Sequence, residues 1–474
     1  MRQLEKLMER IIARVNMTLM EFEFDAKSNI GELVSPEQLM KFNAFYGITS
    51  HHPIRFTFKR SNVGGSYFLG KCKTDHALLY KCDIRGDELK RAGDTFNSHG
   101  LIIPIENDEI IRIKDSFLVN TLVHSNSHDP ENPEQFLIRN TISLHYANIH
   151  GASLRGCFLG PFATADLTTL HSCIIGAFSY VQAGELFHHY VMPGTIWVRD
   201  DAYEFKYRFP EEALERYIRA EAGKLPTGII MDFVQERKED FQPVFDSASF
   251  EHPVKVPESS SLNRYAVVKG DTHIGENVLI SQRAYLDNAW MGRGANAQEN
   301  SYIINSRLEG NDVTAHGAKI INAELGVKVF VGFNCFLRGM AEERLKIGAG
   351  SIIMPHTIID LEEPLEIPEG SAVWGYIRNA ADLASHSLPL EELAAAEEEV
   401  QMGFMTFKGM GRSLVEGFRR RIDHILEGNG AMYDKNDPST SGHAQEAKVL
   451  GFNTIQPYLS GELAGLYPTI DIRP

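Results

Sequence analysis

The chain has 474 residues, 43% hydrophobic and 23% charged, with a formal net charge of −16. That is ample core material for roughly two to four domains, and the negative balance argues against a nucleic-acid surface. No run approaches the roughly 20 apolar residues of a membrane span, and five scattered cysteines with no C-x-x-C pair suit a reducing cytoplasm, the expected location.

The chain opens on MRQLEKLMERIIARV, where Leu4, Leu7, Ile11 and Val15 fall at helical spacing. Charge throughout, without an apolar core, argues against a signal peptide. Residues 1–60 read as a mainly helical N-terminal region. From 61 to 200 the pattern becomes one of short strands. GSYFLGKCKTDHALLYKCDIRGDELK predicts an opening coil, and ISLHYANIHGASLRGCFLGPFATADLTTLHSCIIGAFSYVQAG continues it, with Ile149, Leu154, Leu159, Ala165, Leu170, Ile175 and Val181 pointing inward. Within 201–252, FPEEALERYIRAEAGKLPTGIIMDFVQERKEDF is polar and helical in period, which predicts a helical insertion.

Residues 253–378 carry a regular rhythm. Apolar or small residues recur at Ile274, Ile280, Leu286, Met291, Ala297, Ile303, Leu308, Thr314, Ile320, Leu325, Val331 and Leu337, in steps of six, six and five. The period is therefore seventeen residues. Gly275, Gly292 and Gly326 follow the same beat, and Glu309 breaks it; Ala284, Ser301, Ala318 and Cys335 form a column of small residues, and Asn288, Asn305 and Asn322 a third column. Neither a helix nor an alternating sheet has this period. A three-sided coil of short parallel strands does, with one inward side chain per side and small residues at the corners. The Asn column is expected to form a stacked corner ladder that satisfies backbone groups. After 378 the rhythm stops. PLEELAAAEEEVQ and GRSLVEGFRRRIDHILEG predict amphipathic helices, the second with Leu414, Phe418, Ile422 and Ile425 on one face; the tail from Asn429, rich in Gly, Ser, Asp and Pro, reads as extended.

The seventeen-residue pattern resembles the hexapeptide-repeat, left-handed β-helix family, and IPEGSAVWGYIRNAAD resembles the way such proteins leave their last coil. The resulting expectation is a mainly β chain: two left-handed parallel β-helix segments, 61–200 and 253–378, with α-helical N-terminal (1–60), central (201–252) and C-terminal (379–474) additions.

Histidines concentrate in the first of these segments, seven of the eighteen between 124 and 189. Neutral imidazole is a common metal ligand, and a narrow apolar interior directs such rings outward or across a subunit face. His124 and His145 are 21 residues apart. With SHDPENPEQ taken as a bulging loop, His124 stacks over His145 one coil away, and His150 lies one side further round. One prism cannot easily aim rings from two sides at one point, so a neighbouring subunit in a threefold association would supply the missing ring. His188 and His189 alternate along a strand and are expected on opposite faces. His171 falls near the other rings by one-coil arithmetic.

Val123-His124, a loop, then Leu144-His145-Tyr146-Ala147-Asn148-Ile149-His150-Gly151 is similar to the metal-binding stretch of the gamma-class carbonic anhydrases, and Arg85-Gly86-Asp87 matches their upstream R-G-D. Leu118 stands where that family usually has Gln, and the insert between Asp87 and His124 is longer than the family's. The resemblance implies a homotrimer with zinc, or ferrous iron, held by His124, His145 and His150 at each subunit interface. It implies a hydro-lyase in which zinc-activated hydroxide attacks carbon dioxide or a related carbonyl of a small-molecule substrate. Arg85 and Asp87 would serve subunit contact and site architecture. In the loop, His128 and Glu131, with Asp129 and Glu134, are placed to relay the released proton. In the second segment His316 has Ile321 five residues on, so the ligand pattern fails; its column reads Gln282, Glu299, His316, Phe333. That histidine carries an alternative expectation, a hexapeptide-repeat acyltransferase with an acyl-coenzyme A or acyl-carrier donor and His316 as general base. A third is a non-catalytic trimeric scaffold.

Overall fold

The computed structural model describes residues 3–31, 33–48, 55–98, 101–125, 136–246, 251–446 and 451–473. The chain is mainly β and divides into two compact units, each built on a left-handed parallel β-helix. The units group the expected segments in their own way: residues 1–195, 218–227 and 449–474 form the first, and 196–217 and 228–448 the second. No helix among the described residues is long and apolar enough to cross a membrane.

In the first unit, one face of the β-helix stacks Tyr67–Asp75, Asp83–Gly86, Leu122–His124, Asn148–His150, Thr164–Asp166 and Tyr180–Gln182 in parallel. Along it Phe68, Ile84, Val123, Ile149, Ala165 and Val181 stand in direct register, all buried. On the other faces Leu154 registers with Leu170 and Leu159 with Ile175, so all seven expected inward side chains line the interior. The third face carries an outward apolar column, Leu78, Phe117, Ile142, Phe158 and Ile174. The helix Gln3–Thr18 lies over it, burying Leu4, Leu7, Ile11 and Val15 in one cluster with that column. Each such side chain contributes about 1.5–3 kcal/mol on full burial. Arg10 and Arg14 fix the helix through Asp115, at 3.0 and 2.6 Å.

Helical structure at the N-terminus ends at Pro36–Lys41, whose Ser35 and Gln38 form a capping box. Strands Ala44–Ile48 and Arg55–Lys59 follow, the second burying Phe56 and Phe58 by alternation. The tail is not simply extended. Gly451–Ile455 pairs antiparallel with Ala44–Ile48, and Ile470–Ile472 pairs antiparallel with Arg55–Lys59. Chain from the far end thus closes the first coil.

In the second unit the registers reproduce the seventeen-residue rhythm. Ile274 stacks on Met291, Leu308 and Leu325; Ile280 on Ala297, Thr314 and Val331; Leu286 on Ile303, Ile320 and Leu337. These side chains, Thr314 excepted, and the small column of Ala284, Ala318 and Cys335 form one continuous core. In the Asn column, as expected, side chains meet backbone groups: Asn288 Oδ1 accepts from the Asp271 N–H at 3.0 Å, and Asn322 Nδ2 donates to the Gly339 carbonyl at 3.3 Å. Asn288, Asn305 and Asn322 have φ of 48°, 48° and 49°, while Asn288 and Asn305 are exposed. Asn also tolerates the left-handed corner.

Part of the expected helical insertion is strand. Tyr203–Arg208 pairs antiparallel with Met405–Gly409, because Tyr203, Phe205 and Tyr207 alternate inward. Helices Glu211–Tyr217 and Ile229–Glu236 follow, and Phe233 of the second packs against Tyr302 and Phe336 on the β-helix. Past the last coil, Asn379 caps the helix Ala380–Ser385. The long helix spans Gly411–Gly428 and buries Leu414, Val415, Phe418, Ile422 and Leu426; Ile425 is only half-buried, so the stripe runs one residue off the expected face.

Candidate functional site

In the first unit the outward positions of one face bring the candidate residues together. Arg85 registers with His124, His124 with His150, and His150 with Asp166. Each sits one residue after an inward apolar side chain, so all four project from the same surface. Adjacent strands lie about 4.8 Å apart, and the His124 and His150 rings accordingly stand 5.1 Å apart, tilted at 77°.

Carboxylates flank both rings. His124 Nε2 lies 3.1 Å from Glu88 Oε1. His150 Nδ1 lies 2.7 Å from Oδ1 of the fully buried Asp166, whose Oδ2 accepts the Tyr180 hydroxyl. Beside them Arg85 grips Asp87 with two hydrogen bonds, Nε to Oδ1 at 2.9 Å and Nη2 to Oδ2 at 2.6 Å. Burial opposes the Arg85 charge, but the neighbouring Asp87 carboxylate outweighs it and holds the guanidinium above its ordinary pKa. The Arg85 and Asp87 expected for a subunit contact therefore pair within one chain.

The stacking partner expected for His124 is corrected. His124 sits on His150, not on His145. Twenty-six residues separate the pair, in a ladder whose next steps are sixteen. His145 occupies the preceding corner, just before the left-handed Tyr146, and is 4% exposed. His171 belongs to a different face, in register with Arg155 and Phe187 and stacked on the Phe187 ring at 4.6 Å. His188 is a left-handed corner residue, φ 49°, rather than part of an alternating strand. His128, Asp129, Glu131 and Glu134 lie outside the described residues.

The donor chemistry of the ladder fits a divalent cation. Two imidazoles share one surface, and each has a carboxylate beside it, the arrangement that orients histidine ligands. His124 and His150 would hold such an ion. Glu88, Asp166 and Tyr180 were missed from the sequence. Glu88 directly follows the R-G-D, and Asp166 could have been found as the residue one sixteen-residue coil beyond His150.

In the second unit His316 precedes the left-handed Gly317, the corner position that His145 holds in its own coil. The expected column is real: backbone bonds run from Asn300 to Gln282, Gly317 to Glu299 and Asn334 to His316. His316 Nδ1 is 2.9 Å from Glu299 Oε2, with both side chains buried, and the ring lies 5.3 Å from Phe333. A carboxylate at Nδ1 favours the tautomer whose Nε2 can accept a proton.

A family model described as hexapeptide repeat including loop matches residues 101–222. The crystal structure of a "putative acetyltransferase" from Desulfovibrio desulfuricans G20 is 55% identical, with 100% of this chain and 99% of that one covered and a TM-score of 0.93. A "putative acetyltransferase" from Bacillus cereus is 11% identical over 34% of this chain and 88% of its own, with a TM-score of 0.15, too distant to carry an argument. No curated protein matches the chain.

Proposed function

Because this chain belongs to the hexapeptide-repeat left-handed β-helix superfamily, we propose that it transfers an acyl group from a coenzyme A or carrier thioester to a hydroxyl or amine, with His316 as general base. The observation that carries the reading is the Glu299–His316 pair at 2.9 Å, in a chain so similar along its length to a protein described as a putative acetyltransferase. Glu299 holds the Nδ1 proton. His316 Nε2 takes the proton of the acceptor as its oxygen or nitrogen attacks the thioester carbonyl; the C–S bond breaks, and the thiolate leaves and is protonated. His316 is 1% exposed, so neighbouring side chains must yield for the acceptor to enter.

The test is thiol release from acetyl-coenzyme A across a panel of amine and hydroxyl acceptors. His316→Ala is expected to lower kcat by about 10²–10⁴-fold, and Glu299→Gln to lower it less. No acceptor-dependent thiol release from the native protein, or full activity in a folded His316→Ala, would sink this reading.

A second reading is favoured by the His124–His150 ladder: a hydro-lyase whose divalent ion, zinc or ferrous iron, is held in part by these two rings. When bound, such an ion supplies Lewis acidity toward a carbonyl or water. Asp166 orients His150, Glu88 stands beside His124 and Arg85 is held by Asp87. A homotrimer in which His145 of an adjoining copy completes the ligand set belongs to this reading. Metal content and sedimentation of the full chain, compared with His145→Ala and His150→Ala, decide it; full metal retention in His150→Ala would remove it.

A further inference from the structure

Asp166 is fully buried with both oxygens engaged, Oδ1 by His150 Nδ1 at 2.7 Å and Oδ2 by the Tyr180 hydroxyl. A hydroxyl has one proton to give. Between a carboxylate and an amide, the carboxylate is the stronger acceptor, so that proton goes to Asp166. The Tyr180 oxygen is then an acceptor toward the Gln182 side chain, 2.9 Å away, which must turn its amide nitrogen to it. An ionised carboxylate can only accept. Facing an ionised Asp166, the neutral His150 ring therefore carries its N–H on Nδ1 and its lone pair on Nε2. The register makes this arrangement a property of the coil: Asp166 is the residue directly beneath His150.

We propose that Asp166, backed by Tyr180, is the positioning residue that fixes the His150 tautomer and so offers Nε2 to a divalent cation. The cation half rests on the metal-binding reading above; the tautomer half does not.

The experiment uses the metal-free full chain, labelled with ¹⁵N at histidine, at one fixed pH near 8. His150 signals are identified by their loss in His150→Gln. The expected native pattern is pyrrole-type Nδ1 and pyridine-type Nε2. Asp166→Asn can turn an amide N–H toward Nδ1, so the pattern is expected to reverse in a measurable fraction. Zinc chloride affinity, read by competition with a chelating dye, is expected to fall about 10–100-fold. Tyr180→Phe is expected to shift both in the same direction by less, and decides the matter if Asp166→Asn does not fold. A native tautomer pattern with native zinc affinity in Asp166→Asn, or in Tyr180→Phe where only that variant folds, overturns the proposal. Zinc affinity unchanged in His150→Gln instead overturns the metal reading and the cation half with it, while the tautomer shift still stands or falls separately.

Discussion

Lys319 shows what one buried charge does to this fold. It lies in register between Tyr302 and Phe336, the two rings against which Phe233 packs, and its Nζ donates to the Gly317 carbonyl. Burial lowers its pKa to about 7. In the unfolded chain the same amine keeps its proton up to about pH 10.4. Between about pH 7 and pH 10 the unfolded state therefore binds more protons, and stability rises with pH; below 7 the penalty is complete. Lys319→Met is expected to be more stable than the native chain at pH 7, by an amount on the order of 3–5 kcal/mol, with the two converging near pH 10. Urea midpoints at unit steps of pH check this, and a constant difference at every pH would refute it. The lysine also shows a limit of sequence reading. Its place one residue before inward Ile320 says that it points outward, yet it is 2% exposed, on a face where Phe233 of the helix Ile229–Glu236 packs against the flanking Tyr302 and Phe336.

At the scale of the coil, Gly292 is where the repeat is least forgiving. A Cβ there would stand 2.0 Å from the Glu309 carbonyl oxygen, one coil on. The contact is with backbone, which cannot swing aside. Gly292→Ala is expected to lower stability by about 1–3 kcal/mol. Gly417, inside the helix Gly411–Gly428 with open space around it, is the contrasting case: Gly417→Ala is expected to raise stability by about 0.5–1 kcal/mol. Thermal midpoints of the two variants should move in opposite directions. The beat of Gly275, Gly292 and Gly326 was readable because close approach of coils recurs with the coil. The inward columns were readable for the same reason, since one apolar side chain per face must fill a narrow interior at every turn. The His124 register was not, because pairing depends on where the chain rejoins the ladder after 125, which no periodic signal marks. Without that register the His124–His150 pair could not be placed, although the regular step from His150 to Asp166 was within reach. The Glu299–His316 pair was within reach, because an unbroken seventeen-residue step sets both residues in one column.

Across the whole molecule, all five cysteines are free and buried. Burial pushes the Cys72 and Cys335 thiols up to about 12. The thiolate is the reactive form, so thiol modification measures opening of the two cores. At pH 8 Cys72 and Cys335 of the native protein are expected to react negligibly with an aromatic disulfide reagent, and all five cysteines are expected to react in denaturant. Rapid native labelling of Cys72 or Cys335, located by peptide mapping, would contradict the burial described here.

The antiparallel strands that the tail adds to the opening coil also fix an order of events. On the ribosome, Ala44–Ile48 and Arg55–Lys59 emerge roughly 400 residues before their partners Gly451–Ile455 and Ile470–Ile472. The second β-helix draws its stacking strands from one uninterrupted stretch and can finish in between. The nascent chain thus carries unsatisfied strand edges until those partners emerge, a period in which edge-to-edge association with other chains competes with self-closure.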